Sequence, residues 1–445
     1  MPSPHVFQRA SAADLPVAVS GEGITILTAD GRRIIDACGG AAVSCLGHSD
    51  RTVADAIKTQ VDALPYAHTG FFTSEPAERL AAMLVERAPE GIGRVYFVSG
   101  GSEAAEASLK LARQYFLEKG EDRFRIVARR QSYHGNTLGA LAAGGNAWRR
   151  RQFAPLLTDA TSHIAPCHYW RFGEPGESAE AYGLRAADEL EAEILRLGPE
   201  TVAAFIAEPV VGATMGAVPA VAGYFARIRQ ICDTYGVLLI LDEVMCGMGR
   251  TGHLFACEAD AVRPDIVLVA KGLGAGYQPI GAMLVNEEIH RTIASGSGAF
   301  QHGHTYMGHP VACAAGIAVL TAFEERDLIA NVRAMGERLR SQLEARLGQH
   351  PNVGDIRGRG LFLGIELVAD RDTKAPLPAE AKTHARIKAA AFARDIMCYP
   401  MGGVIDGVRG DHVMLAPPYI VTAGDVDEIA ARITAAIDDV LPAAA

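Results

Sequence analysis

Five short, largely apolar runs in the first two thirds of the chain each end at a polar or glycine-rich turn, with helical segments between them. The runs are Arg94–Val98, Phe124–Ala128, Val202–Ala207, Val237–Leu241 and Pro264–Ala270. Apolar runs of this length are typical of strands buried on both faces of a parallel sheet. Strands that alternate with helices predict an α/β fold with a mostly parallel sheet between helices. Because ligands bind beyond the carboxyl ends of such strands, we expect the five turns to share one functional rim.

The turns carry side chains that could form a site. The first turn, Ser99–Glu103, contains glycines and precedes a helix, and free N–H groups with the helix dipole make a cup suited to phosphate. A simple turn with Ser102 as the helix cap is the alternative. The other turns supply an aromatic ring, an imidazole, two carboxylates and an amine: Tyr133, His134, Glu208, Asp242 and Lys271. Capping and packing alone do not readily explain so many polar groups at one rim.

Lys271 stands where the last apolar run meets the glycines of Gly272–Gly276. Burial next to an apolar interior favours the neutral amine, which is the nucleophilic form of lysine. Neutral lysines attack carbonyl groups and form Schiff bases. Taken alone, this segment is equally compatible with a lysine that extends from a strand end to solvent.

A lysine, a phosphate cup and a buried carboxylate together fit the cofactor pyridoxal 5′-phosphate. Asp242 could keep the pyridine nitrogen protonated, so that the ring acts as an electron sink. Tyr133 or His134 could cover one face of the ring. Lys271, once released, could move the proton between substrate and cofactor as general base and acid.

The rest of the chain predicts three parts: an N-terminal segment, 1–50, that contributes to a small domain; a large domain, 51–320; and a small C-terminal α+β domain, 321–445. A hairpin is expected over Gly23–Asp36, where Asp-Gly is the turn signal. One long helical stretch is expected over Ala312–Leu347.

Composition narrows the function classes. The 445 residues are 49% hydrophobic and 21% charged with a net charge of -10, which is typical of a globular protein and argues against a nucleic-acid surface. No apolar run reaches the ~18 residues needed to cross a membrane, and the N-terminus lacks a secretory signal pattern. The eight scattered cysteines are expected to be reduced, packed thiols in a cytoplasmic protein.

Two motifs point to functions that we do not expect. His302, His304 and His309 cluster in a glycine-rich loop, but no carboxylate or cysteine stands at a metal-ligand spacing, so no metal site is predicted. Gly247–Gly252 matches the G-x-G-x-x-G dinucleotide pattern. No clear helix opens after it, and Asp242 and Glu243 just before it would repel a pyrophosphate.

The order of several motifs resembles the class III aminotransferases, the ω-type enzymes of pyridoxal-phosphate fold type I, over nearly the whole chain. The matching segments are Ser99–Ala104, Tyr133–Gly135, Glu208–Val210, Asp242–Val244 with Gly249–Gly252, Ala270–Gly272 and Gly303–Tyr306. The resemblance implies a large domain with a seven-stranded type of mostly parallel sheet, plus a smaller α+β domain. It also implies a homodimer or a dimer of dimers.

The resemblance assigns roles residue by residue. It implies that Gly101 and Ser102 bind the cofactor phosphate, and that Tyr133 stacks on the ring with Val244 on the opposite face. Further implied roles are the pairing of Asp242 with the ring nitrogen, the orientation of nearby polar groups by Glu208, and a contact from Thr305 to the phosphate of the neighbouring subunit.

The substrates implied are a small-molecule amine donor and a keto acid such as pyruvate, used in a ping-pong reaction. Members of the family often hold the α-carboxylate with a mobile arginine before a Pro-Pro pair, and here Arg409 precedes Pro417 and Pro418 at a shorter offset than usual. Alternatively, Arg409 is a solvated arginine in a loop and does not bind the substrate. Phe71 and Phe72, in the aromatic loop after Tyr66, would suit an apolar donor, although local packing would explain them as well.

Two other classes of function stay open at this point. A racemase, aminomutase or decarboxylase of the same fold type would use the same lysine and electron sink. A cofactor-free binding or regulatory protein could keep the fold, although it would have no use for both Lys271 and Asp242.

Overall fold

A computed structural model describes residues 5–10 and 14–442 of the chain. Its strands are β1 Ala18–Glu22, β2 Thr25–Thr28, β3 Arg33–Asp36, β4 Ile92–Val98, β5 Arg125–Arg129, β6 Thr161–Ile164, β7 Val202–Ala207, β8 Val210–Val211, β9 Val218–Pro219, β10 Leu238–Asp242, β11 Ile266–Val269, β12 Gly281–Asn286, β13 Val353–Arg359, β14 Phe362–Leu367, β15 Ile396–Met397, β16 Tyr399–Gly402 and β17 Asp411–Leu415.

Helices connect these strands and cover the sheets. They are α1 Gly39–Ala42, α2 Arg51–Ala63, α3 Glu75–Arg87, α4 Gly101–Glu118, α5 Leu138–Ala143, α6 Ala147–Arg150, α7 Tyr169–Phe172, α8 Ala179–Leu197, α9 Tyr224–Tyr235, α10 Glu287–Ser295, α11 Pro310–Glu325, α12 Leu328–Leu347, α13 Thr383–Ala393 and α14 Ala423–Val440. Short 3-10 turns lie at Ala154–Leu156, Pro199–Thr201, Ala256–Asp260, Lys271–Leu273 and Ala379–Ala381.

The central sheet has seven strands in the order β4-β12-β11-β10-β7-β5-β6. Strand β12 runs antiparallel to both of its neighbours, and the other six strands run in one direction. The chain turns back from β11 to β12 without a crossover helix, and such a connection places the next strand antiparallel. The predicted α/β fold with a mostly parallel seven-stranded sheet is confirmed.

Alternate residues of the central strands enter two different hydrophobic cores. Ile240 and Leu268 pack on the side of α4, whereas Leu241 and Val267 pack with α8, α9 and α11 on the other side. Both faces are therefore removed from water, which explains why the sequence shows continuous apolar runs rather than an alternating pattern.

Within the described residues, three smaller sheets lie outside the central one, and the smallest is the antiparallel pair of β8 and β9. Strands β13, β14, β17 and β16 form an antiparallel sheet in that order. The predicted hairpin is present as β2 and β3, and β3 also pairs in parallel with β15, with Ile35 opposite Ile396. The N-terminal segment thus joins a strand of the C-terminal part, while the domain boundaries at 50 and 320 stay a prediction.

The structure corrects one expected element and adds others. The single helical stretch predicted over Ala312–Leu347 is two helices, α11 and α12, because Asp327 adopts a left-handed conformation with φ of 48° that ends the hydrogen-bond ladder. Strand β6 was missed because Thr161–Ile164 is short and mostly polar. Strand β13 was missed because charged and glycine residues interrupt its pattern.

Three expectations from composition can be compared with the fold. All eight cysteines are unpaired and buried, as predicted for reduced, packed thiols. Within residues 5–10 and 14–442, no cluster of three metal-binding side chains occurs. None of the helices in that same part of the chain has the length and apolar character needed to cross a bilayer.

Candidate active site

A cavity of about 470 Å³ lies where the parallel strands end. This volume is within the range of small-molecule and cofactor sites. Its walls are formed by Val43, Ser99–Ser102, Tyr133–Gly135, Glu208, Ala213, Asp242, Val244, Met245, Ala270, Lys271, Gly276 and Gln278–Ile280. The turns after β4, β5, β7, β10 and β11 all contribute, so the structure brings the five turns to one rim.

The turn after β4 forms the start of helix α4. The helix begins at Gly101 after Gly100, and the first N–H groups of a helix have no acceptor inside it. These N–H groups and the positive end of the helix dipole form a site that suits a phosphate. Ser102 lies within the helix rather than at its cap position, so the alternative of a Ser102-capped turn is not what the structure shows.

Ser102 is held by the turn that follows β5. Its hydroxyl donates to Asn136 Oδ1 at 3.0 Å and accepts from the Asn136 backbone N–H at 3.1 Å. Gly135, with φ of 137°, passes so close that a Cβ there would lie 2.8 Å from Cα of Ser102. A glycine is needed at this position to let the turn that carries Tyr133 and His134 approach the phosphate cup.

Asp242 and His134 form a buried pair at the floor of the cavity. Nδ1 of His134 lies 2.8 Å from Asp242 Oδ2, and Asp242 Oδ1 accepts the backbone N–H of Val244 at 3.0 Å. Nε2 of His134 is buried without a hydrogen-bond partner among the described residues. The carboxylate keeps lone pairs for a further donor, such as a protonated ring nitrogen.

Glu208 is a second buried carboxylate in the wall. Its side chain accepts the backbone N–H groups of Tyr133 at 3.1 Å and Gly212 at 2.8 Å. Burial raises the pKa of Glu208, the nearby His134 opposes that shift, and the charge of Asp242 adds to it. Glu208 therefore fixes the backbone on two sides of the cavity.

Val244 packs directly against the phosphate cup. A Cβ on Gly101 would lie 2.7 Å from Cγ1 of Val244, so a side chain at position 101 would force the two turns apart. The glycine keeps the helix start and the strand end in contact.

Lys271 begins the short 3-10 turn after β11 and has φ of 45°, a left-handed value that is unusual for a residue with a side chain. Its Nζ donates to the carbonyl of Ala41 at 3.2 Å. Burial lowers the pKa of Lys271, and the negative charges of Asp242 and Glu208 oppose that shift. Local strain of this kind concentrates at functional sites.

Some wall residues were not singled out from the sequence. Val43 reaches the cavity from the N-terminal segment, and Ala213 and Gln278 reach it from loops. Small or isolated polar residues in loops have no periodicity or motif that indicates a site, so no signal in the sequence could have found them.

Four residues predicted for the site lie outside the walls of this cavity in the single chain. Phe71 and Phe72 are 82% and 65% exposed. Thr305 is also exposed, and its carbonyl accepts the hydroxyl of Tyr66 at 2.9 Å. The side chain of Arg409 is 60% exposed and pairs with Asp406 at 2.7 Å. Their predicted roles stay predictions.

The residues present fit a pyridoxal-phosphate group. The cavity combines free helix N–H groups for a phosphate, a carboxylate with spare lone pairs for a ring nitrogen, and a buried lysine for an aldehyde. The ring of Tyr133 lines the same cavity. A dinucleotide fits less well, because Gly247–Gly252 forms a mostly buried turn with no helix directly after it.

Comparison with known proteins agrees with this geometry. The aminotransferase class-III family profile matches residues 7–437. An uncharacterized aminotransferase of Schizosaccharomyces pombe is 46% identical over 429 residues, which are 96% of this chain and 94% of the relative. A gamma aminobutyrate transaminase of Solanum lycopersicum is 36% identical over 95% of this chain and 80% of its own length.

Solved structures give the same result. An (S)-enantioselective omega-transaminase from Thermomicrobium roseum superposes with a TM-score of 0.91 at 38% identity, covering 97% of this chain and 94% of the other. The omega-transaminase of Pseudomonas jessenii in complex with PMP gives a TM-score of 0.92 at 34% identity, with coverage of 98% and 96%. The protein belongs to the class III aminotransferases.

Proposed function

We propose that the protein moves an amino group from an ω-amino acid or another amine donor to a keto acid such as pyruvate. Pyridoxal 5′-phosphate would be the cofactor and the reaction would follow a ping-pong course. The observation that supports this most strongly is the half-buried Lys271, with its lowered pKa, in the same cavity as Asp242 and the start of helix α4.

The bound cofactor supplies an electron sink that stabilises a carbanion at the substrate carbon. Asp242 would favour a protonated ring nitrogen, because a buried carboxylate stabilises a nearby positive charge. The N–H groups of Gly101 and Ser102 would hold the phosphate, while Tyr133 and Val244 would confine the ring. His134 orients Asp242 through the contact of 2.8 Å.

Lys271 has two tasks in this scheme. Its neutral amine would hold the cofactor in the resting enzyme, and the lowered pKa of Lys271 increases the neutral fraction of the amine at physiological pH. With the cofactor and a substrate bound, Nζ of Lys271 would remain at the cavity wall, where it could take up a proton as general base and return it as general acid.

The relatives support amino transfer but leave the donor open. One is named a gamma aminobutyrate transaminase and another an (S)-enantioselective omega-transaminase. We therefore propose amines and ω-amino acids as donors. Thr305 would contact the cofactor of a second subunit, and the active form would be a homodimer.

Product analysis tests the proposed function. The purified protein, loaded with pyridoxal 5′-phosphate, is incubated with pyruvate and one donor at a time from a panel that includes 4-aminobutyrate and 1-phenylethylamine. We expect alanine to form in the same amount as the donor is consumed, and Lys271→Ala to form none. Donor consumption without alanine would indicate a decarboxylase or aminomutase instead.

Loss of optical activity of an amino acid without net nitrogen transfer would indicate a racemase. A protein that takes up no cofactor would indicate a binding or regulatory role.

A further inference from the structure

The candidate cavity contains few positive charges for a substrate that carries a carboxylate. Among the described residues that form its walls, Lys271 is the single Lys or Arg, and it is needed for the chemistry. Glu208 and Asp242 add two carboxylates to the same walls. Binding of a keto acid in this environment would be unfavourable unless a further cation pairs with its carboxylate.

Arg149 provides such a cation beside the cavity. It lies in the short helix α6, and its Cζ stands 4.6 Å from the centroid of the Tyr133 ring, which itself forms part of the cavity wall. The Nε of Arg149 is buried, and none of the described residues forms a hydrogen bond with it. Within the described part of the chain, no carboxylate lies within ion-pair distance of this guanidinium.

The charge of Arg149 reaches the centre of the site. Burial lowers the pKa of Lys271, the carboxylates of Asp242 and Glu208 oppose this, and the positive charge of Arg149 lowers the pKa further. Arg149 also acts on the hydroxyl of Tyr133, whose pKa burial raises and Arg149 lowers. The guanidinium is therefore close enough to interact with a charged group bound between Tyr133 and Lys271.

Arg409 is a weaker candidate for the same task. Its Nε donates to Asp406 Oδ2 at 2.7 Å, and its backbone N–H donates to Asp406 Oδ1 at 2.8 Å. A carboxylate of the protein thus already neutralises this arginine within its own loop. A substrate would have to displace Asp406 before it could bind there.

A guanidinium stacked on an aromatic ring keeps its in-plane N–H groups available. Such an arginine can hold a carboxylate with two parallel hydrogen bonds while the ring fixes its plane. We propose that Arg149 binds the carboxylate of the substrate and makes the enzyme selective for 2-oxo acids over simple aldehydes. This inference rests on the proposed aminotransferase function and extends it to the choice of acceptor.

The experiment compares two acceptors of similar size, pyruvate and propanal, of which only pyruvate has a carboxylate. With a donor that lacks a carboxylate, such as 1-phenylethylamine, we expect Arg149→Gln to raise the KM for pyruvate about 10- to 100-fold. The KM for propanal should stay within about twofold of its original value. Arg149→Lys should recover part of the loss, since it keeps the charge without the planar fork.

Two variants serve as controls. Arg151→Gln removes an equal charge from an exposed side chain two positions away, and it should leave both constants unchanged. Arg409→Gln tests the competing site directly. If Arg409→Gln rather than Arg149→Gln selectively raises the KM for pyruvate, the carboxylate binds at Arg409 and our inference is wrong.

A binding measurement separates this inference from a purely structural role of Arg149. Calorimetric titration of the cofactor-loaded protein with propionate, which cannot react, should show binding to the original protein and about 10-fold or weaker binding to Arg149→Gln. A variant that binds propionate as before, or that loses activity equally with both acceptors, would show that Arg149 only supports Tyr133. If the original protein forms no alanine at all, the proposed aminotransferase function is wrong. That result differs from the two outcomes for Arg149→Gln, which test only the role of Arg149.

Discussion

At the scale of single residues, the site depends on groups held in states that are unfavourable elsewhere. Lys271 is a half-buried amine with a left-handed backbone, and Asp242 is a buried carboxylate whose partner is a histidine. Each would be costly to bury alone. Both side chains face the same small cavity, where the charged groups of the proposed cofactor, a cationic ring and an anionic phosphate, would complement them.

The ionisation of Lys271 gives a prediction on pH. The reaction of its amine with pyridoxal 5′-phosphate needs the neutral form, and the fraction of that form rises with pH until the pKa of the folded protein is passed. Since burial lowers this pKa below 10.5, the rate of cofactor uptake by the apoprotein should level off at a lower pH than for an exposed lysine.

Stopped-flow absorbance over a range of pH measures this uptake. In Asp242→Asn the negative charge that raises the pKa of Lys271 is absent, so the midpoint should move to a still lower pH. A midpoint at or above 10.5 in the original protein would contradict the expected state of the amine.

At the scale of elements, residues of the small antiparallel sheet β13-β14-β17-β16 hold one cavity loop in place, in addition to the contacts from the central sheet. Arg357, at the middle of β13, donates to the carbonyl groups of Met215 and Gly216, in the loop that also contributes Ala213 to the wall. Glu366 of β14 accepts from Arg357 at 2.6 Å and, on its other oxygen, from Arg171 of α7 at 2.6 Å. This buried network fixes the cavity loop against both parts of the fold.

Removing the carboxylate from this network should destabilise the protein. Glu366→Gln leaves Arg171 buried without a counter-charge and leaves Arg357 with Asp355 as its one remaining partner among the described residues. We expect a loss of about 3–5 kcal/mol in the free energy of unfolding. Urea unfolding followed by circular dichroism measures the change. The matched control Glu428→Gln breaks an exposed pair with Arg432 and should cost less than about 0.5 kcal/mol.

The same network predicts how the stability of the fold depends on pH. Burial alone would raise the pKa of Glu366, but the charges of Arg357, His168 and Arg171 lower it to about 2. Because the folded state binds the proton less readily than the unfolded state, Glu366 stabilises the fold above pH 4.5, and this contribution should be lost as the pH falls towards 2. Equal acid sensitivity in Glu366→Gln and in the original protein would contradict this role.

Particular elements show how far the sequence could predict this structure. The central strands were found because β7 and β10 are apolar at nearly every position, and the residues at their ends were found because the carboxyl ends of parallel strands share one rim. The direction of β12 and the presence of β6 and β13 depend on tertiary contacts rather than on local pattern. Arg149 was not recognised because its role depends on its position over Tyr133, which lies 16 positions earlier in the chain.

At the scale of the whole molecule, a large aromatic surface stays exposed in the single chain. Phe71 is 82% exposed, Phe72 65% and Tyr306 63%. The ring of Tyr66 packs edge-on against Tyr306 with a centroid distance of 5.9 Å, which joins the two loops into one surface. Exposed apolar patches of this kind mark protein interfaces, and the proposed homodimer would cover it.

A charge placed in this surface should weaken the dimer. We expect Phe71→Asp to shift the protein from a dimer towards a monomer and to weaken cofactor retention, because Thr305 lies in the same region. Light scattering coupled to gel filtration measures the mass. Leu195→Asp is the matched control, since Leu195 is also exposed, at 57%, but lies on helix α8. A monomeric original protein, or an equal effect of both substitutions, would refute the proposed interface.

Lys271 is central to the proposed function, because it would carry the cofactor in an enzyme that completes two half-reactions. The direct measurement is the visible absorbance spectrum of the protein loaded with pyridoxal 5′-phosphate, recorded after an amine donor and again after pyruvate. We predict a visible band that disappears with the donor and returns with pyruvate, and that is absent in Lys271→Ala. A band that persists with every donor, or one that Lys271→Ala retains, would contradict the claim.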